Sequence, residues 1–188
     1  MSAVSGTRAW LILALSGCLV ACASTSPPMR FYTLSPLGNE GASASTPPAI
    51  RVVRVTLPGE IDRAELVRRI DSNRVQLAED DRWAAPLDEL IRRTLSADLQ
   101  SRVPAGAGDP DQLSVEIEEF IGGADCAVIL RAAWSLKPST ATAQLIRGYE
   151  TLRVEPTGTC EVSALPAAMS RALAELSNRV ASARAQRQ

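Results

Sequence analysis

Between residues 111 and 154 the chain is committed to sheet. Leu113, Val115 and Ile117 alternate with Ser114, Glu116 and Glu118, the period of a strand with one face buried and one in water. Gly122-Gly123-Ala124-Asp125 reads as a hairpin turn, and the strand Cys126 to Leu136 returns through Lys137-Pro138-Ser139-Thr140 into a third, Thr142 to Val154. Three consecutive strands joined by short turns form a meander. One apolar face of such a meander needs a cover.

Two stretches of helical period supply it. Pro86 opens a helix whose apolar positions Leu87, Leu90, Ile91, Leu95, Leu99 and Val103 recur mostly at three and four residues, and Pro104 and Gly106 end it. A second, about Ala164 to Ala183, carries Leu165, Met169, Leu173, Leu176 and Val180 on one stripe. Upstream, Ile50 to Leu57 is a β-branched strand stopped by Pro58-Gly59. Leu66 to Ile70 and Arg74 to Ala78 read as a hairpin about Asp71-Ser72-Asn73, followed by a turn at Glu79-Asp80-Asp81-Arg82. Arg30-Phe31-Tyr32-Thr33-Leu34 has strand composition and could add to a sheet edge. The reading is α+β: an antiparallel sheet with two main helices packed on one face, as a single domain over residues 49–188.

The first 21 residues are an address. Arg8 is the only charge before the apolar run that begins at Trp10, and about a dozen residues are too few to span a bilayer as a helix. Leu19-Val20-Ala21-Cys22 is a lipobox: small residues before the cut fit a peptidase, and the new N-terminal thiol accepts diacylglycerol. Leu15-Ser16-Gly17-Cys18 also fits. Cys22 is favoured, because cutting before Cys18 leaves an apolar core at the short limit of about 7 residues. Residues 22–48 then form a lipidated tether that includes the short strand. Ala23 at the position after the lipidated cysteine, where Asp is the usual inner-membrane retention signal, directs the protein to the outer membrane.

Charge and residue types exclude several classes of function. The 188 residues hold no His, so there is no Ser-His-Asp triad, Cys-His dyad or imidazole base, and no HExxH zinc site. Glu116 with Glu118 reads as a solvated strand face and Asp80-Asp81-Arg82 as a turn with an ion pair; neither is an acid/base pair or a metal site. No catalytic residue, metal or cofactor is assigned beyond the covalent N-terminal lipid. The 20 basic and 21 acidic residues are interspersed, which excludes a nucleic-acid surface, and removal of residues 1–21 leaves 19 basic against 21 acidic, with no net attraction for anionic lipid. In an oxidising periplasm Cys126 and Cys160 are candidates for a disulfide from the start of one strand to the loop before the last helix; the alternative is two separate buried thiols.

The lipobox, Arg30-Phe31-Tyr32-Thr33-Leu34, Val55-Thr56-Leu57-Pro58, Asp62-Arg63, Leu66-Val67-Arg68-Arg69 and Arg82-Trp83-Ala84-Ala85-Pro86-Leu87, in this order, resemble the PqiC family of transport-auxiliary lipoproteins. Trp134 also fits. The chain departs from the pattern at Glu60 and Ala64, where the family often has Tyr and Pro, and the Cys126/Cys160 pair is not part of it. The resemblance implies a non-catalytic, outer-membrane-anchored partner of a periplasmic MCE-type protein and inner-membrane transporter components, with a homo-oligomer expected to match a symmetric conduit. The docking candidates are Phe31 and Tyr32 on the edge strand and Leu57, Pro58 and Asp62 after the first long strand. The alternative is a structural or assembly lipoprotein of the outer membrane or cell wall.

Overall fold

The structure, a computed structural model, describes residues 28–38, 48–103, 108–140 and 142–186. Among these residues seven strands and two helices appear in the order β1 (Arg30–Tyr32), β2 (Ile50–Thr56), β3 (Glu65–Arg69), β4 (Val75–Trp83), α1 (Leu87–Arg102), β5 (Asp111–Gly122), β6 (Val128–Lys137), β7 (Ile146–Val154) and α2 (Leu165–Ala185). A short 3₁₀ turn, Val162–Ala164, leads into α2.

β5 is the hub of an open sheet. Its whole length pairs antiparallel with β6, which pairs antiparallel with β7 from Leu136↔Ile146 to Val128↔Val154, so the meander is present. On the other side β5 has two partners: β2 runs parallel to its first half, from Ile50↔Asp111 to Thr56↔Glu116, and β3 meets its end at Arg68↔Gly122. The β3–β4 hairpin and β1 complete the sheet.

The fold is α+β as read, but the sheet is mixed where an antiparallel one was expected: β1–β4, β2–β5 and β3–β5 are parallel. The reason is connectivity. Parallel neighbours need a long crossover, and the β3–β4 hairpin with α1 provides one between β2 and β5. The expected turn at residues 79–82 is also strand. β4 runs on to Trp83 past a register break, Leu66↔Ala78 to Glu65↔Arg82, because β1 supplies a new partner there through Arg30↔Asp81, Phe31↔Arg82 and Tyr32↔Trp83.

One face of the sheet takes both helices. Leu113, Val115, Ile117 and Phe120 of β5 and Leu130, Ala132, Trp134 and Leu136 of β6 are buried against the α1 stripe Leu87, Leu90, Ile91, Leu95, Leu99 and the α2 stripe Leu165, Met169, Leu173, Leu176, Val180. A bulge between Ile117 and Glu119 places Glu118 and Glu119 both outward and returns Phe120 to the core. Opposite Trp134 stands Gly148, and a Cβ there would come within 2.3 Å of the indole, so the ring occupies the space that any side chain at 148 would need. Among the described residues no helix is long and apolar enough to cross a membrane.

Candidate docking and anchoring site

Cys22 and Cys18 lie outside the described residues. What the structure describes is where the chain beyond them enters the fold. Arg30 opens β1, and its Nε and Nη2 lie 2.7 and 2.8 Å from the two carboxylate oxygens of Asp81 in β4. Burial alone would raise the Asp81 pKa, but the Arg30 guanidinium and the Tyr32 hydroxyl outweigh it and hold the carboxyl below its ordinary range. Burial and the Asp81 charge together push the Tyr32 phenol up.

After β1 the chain crosses the helix pair. Leu34 is buried in the core, the Ser35 amide donates to Ser170 Oγ of α2 at 3.1 Å, and the Leu37 and Gly38 amides donate to one Asp98 oxygen of α1 at 2.8 and 2.9 Å. Arg102 closes the cluster with Nη1 3.1 Å from the same oxygen. Asp98 is fully buried, and a buried carboxylate is stable only when paired and hydrogen-bonded in this way. Gly38 passes so close to Ser101 that a Cβ would overlap it. Residues 30–38 are therefore a strap built into the body, which corrects the expectation that the folded unit begins near Ala49. The cause is largely polar: Leu34 is the one fully buried apolar side chain of the strap and Tyr32 packs half-buried beside it against the core, while backbone amides, invisible to hydropathy, do the rest of the fastening.

The two segments that the sequence offers as docking candidates come together around one residue. Trp83, itself buried, donates its backbone N–H to Ala64 O at 2.7 Å, while Ala84 N–H donates to Tyr32 O at 2.8 Å. Beside Trp83 lies Ile61, buried in the loop after β2, with Leu87 of α1 and Phe120 of β5. Phe31 is 64% exposed and Asp62 is exposed, whereas Tyr32 and Leu57 pack half-buried against the core and Pro58 is half-buried. Phe31 and Asp62 thus face solvent, while Tyr32 and Leu57 support the surface between them and the core. The Pro58 carbonyl fixes the loop by accepting from the amides of Ile61 and Asp62 at 3.1 and 3.2 Å. Trp83 faces Leu87 as a staple, and Pro86 is the residue just before α1.

At the opposite corner Cys126 and Cys160 are joined by a disulfide with a Cα–Cα distance of 5.3 Å. Cys126 has φ 61°, in the left-handed region, at the end of the β5–β6 turn, where its amide donates to Gly123 O at 3.0 Å. Arg153 of β7 braces the same corner, 2.7 Å from Asp125 and 2.9 Å from Glu155. Sequence reasoning missed Asp98 and Asp81. Asp98 had a signal, since it falls on the buried stripe of α1 at helical spacing from Ile91 and Thr94. Asp81 had none, because its partner lies 51 residues away. Among the described residues no group of His, Cys, Asp and Glu is arranged to hold a metal.

The family described as ABC-type transport auxiliary lipoprotein component matches residues 32–181, from Tyr32 in the strap to near the end of α2, with Arg30 and Phe31 just before it. The chain belongs to this family. Among curated proteins it is similar to the intermembrane transport lipoprotein PqiC of Escherichia coli (strain K12) and of Shigella flexneri, each 28% identical over 139 residues, covering 69% of this chain and 74% of the relative. Two crystal structures share the fold. One, of an uncharacterized protein, has TM-score 0.66 at 23% identity over 82% of this chain and 97% of the other; the second, from Xanthomonas campestris, has 0.56 at 15% identity over 80% and 91%.

Proposed function

We propose that the protein is a lipoprotein anchored through Cys22 to the outer membrane, where it docks a periplasmic MCE-type protein as a non-catalytic component of an intermembrane transport system. The family match over residues 32–181 carries this reading, and the name of the PqiC relatives agrees with it. The strap sharpens the geometry. Only seven residues separate Cys22 from Arg30, so the body stays within about 30 Å of the anchor even if they are fully extended. The domain is a fixture of the membrane surface, and Phe31, on the first strand after the tether, faces a partner close to it.

Docking suits the interior better than carriage of a lipid. The gap bounded by Ile61, Leu66, Trp83, Leu87, Phe120, Leu165 and Met169 holds about 10 Å³, and an acyl chain does not fit there. A symmetric conduit would be met by a ring of copies, each repeating one contact. The Cys126–Cys160 bridge belongs to the oxidising compartment this reading requires.

The test is in cells lacking the gene. Wild type should restore resistance to detergent stress and crosslink to an MCE-type protein through Phe31, whereas Cys22→Ala should lose acyl labelling and fail to restore. Labelling that survives Cys22→Ala and vanishes with Cys18→Ala would move the anchor. Fractionation with the inner membrane, or crosslinks only to barrel-assembly or wall components, would refute the reading.

A further inference from the structure

The sheet face opposite the helices is open, and its charges are sorted along the strands. At one end, the row Arg51–Gln112–Lys137 runs across β2, β5 and β6. The next row is Arg54–Ser114–Ser135–Arg147, from β2 to β7. All four cations are exposed, none has a hydrogen-bonding or ionic partner among the described residues, and neither row contains an acid. Acids begin one row further on, with Glu116; beyond it Glu118 accepts from Tyr149 and Glu119 is shared by Arg69 and Arg131. A chain without net positive charge thus presents a patch of four free cations.

The shape of the patch is that of a cup. Three inter-strand spacings separate Arg54 from Arg147, about 14 Å, a span that two arginine side chains leaning inward can close on an anion seated above the two serines. Short hydroxyls form the floor and long cations the rim of a groove of about 500 Å³, whose side toward the next row is lined by Thr56 and Glu116. A carboxylate is satisfied by one bidentate arginine. Donors arriving from two rims and a floor suit a group with several outward oxygens, which is phosphate.

We infer that the Arg54–Ser114–Ser135–Arg147 row, backed by Arg51 and Lys137, binds the phosphate of an anionic phospholipid headgroup. The phosphate chemistry rests on the sheet face alone; the choice of lipid over free phosphate rests on the proposed anchor, which keeps this face within reach of a bilayer. Full-length protein in phosphate-free dodecyl maltoside, titrated calorimetrically with dihexanoyl phosphatidylglycerol, should bind it in a salt-sensitive manner. Arg54→Gln with Arg147→Gln should weaken binding at least about tenfold, because two charge-assisted contacts are lost, with the unfolding midpoint unchanged. The Lys pair at these positions should retain part of the affinity, and Arg153→Gln, whose cation is paired elsewhere, should match wild type. Undiminished binding by the double Gln variant overturns the site. Equal affinity for inorganic phosphate overturns the lipid source, and tighter binding of polyglutamate assigns the face to an acidic protein segment instead. Because titration in detergent needs no membrane attachment, failure here is separate from failure of the anchor, which fractionation reads.

Discussion

The two halves of the sheet are built by different means. On the β5–β6–β7 side every pairing joins consecutive strands through short turns, so the alternation of apolar residues and the turn residues between them carry nearly all the information. On the β1–β4–β3 and β2 side the parallel pairings join strands far apart in the chain: β2 waits for β5 across a hairpin and a helix, and β1 waits for the end of β4. Contacts of the first kind form locally, while those of the second require the rest of the fold to be in place. The family's docking candidates lie on the second side, where single residues hold distant segments together.

Trp83 is the most demanding test of that contrast. It lies between Tyr32 and Ala64 through the backbone and beside Ile61 and Leu87 through its ring, so Trp83→Ala should cost about 3 to 5 kcal/mol in urea unfolding, at the upper end for a core truncation. An unchanged midpoint with lost partner binding would make Trp83 a recognition residue. On the local side, the Cys126–Cys160 bridge closes a sequence separation of 34, and its removal as the double Ser variant should cost about 3 to 4 kcal/mol on the chain-entropy account. The meander should persist by circular dichroism, because its pairings do not depend on the bridge.

A smaller effect should follow Asp98→Ala, about 1 to 3 kcal/mol for donors left unpaired in a buried place. Its particular sign is local: hydrogen exchange at Leu37 and Gly38 should accelerate while amides of β6 stay protected. The smallest effect belongs to the Arg30–Asp81 pair. With the Asp81 carboxyl below its ordinary range in the folded state, its contribution is complete above the unfolded carboxylate pKa and disappears as pH falls through the depressed native value. Arg30→Gln should weaken that acid-limb dependence, leaving the part that the Tyr32 hydroxyl supplies, and an unaltered acid limb would show that the pair adds nothing to stability.

How far the fold could be read follows the same division. The helices were legible from Leu87, Leu90, Ile91, Leu95 and Leu99 and from Leu165, Met169, Leu173 and Leu176, because burial of one stripe leaves a period in the chain. The strand at residues 79–82 was not, since Glu79-Asp80-Asp81-Arg82 has the composition of a turn until Arg30 supplies the charge that lets Asp81 be buried. The strap was illegible for a related reason: its fastenings are backbone amides on Asp98 and a serine hydroxyl. Of the candidate docking residues, sequence named the segments, but not that Phe31 and Asp62 are exposed while Tyr32 and Leu57 pack half-buried against the core.

Sequence by itself determined what depends on neighbours in the chain: the meander, the two amphipathic helices, the α+β class and the residue types that make family membership recognisable. Tertiary structure alone decided the parallel pairings, the fastening of residues 30–38 to the body and the sorting of cations on the open face. Each of those arises from residues brought together across tens of positions, by hydrogen bonds and charges that leave no period behind. Arg54 and Arg147 are solvated charges 93 positions apart in the chain; the two strands set side by side between them make them one row.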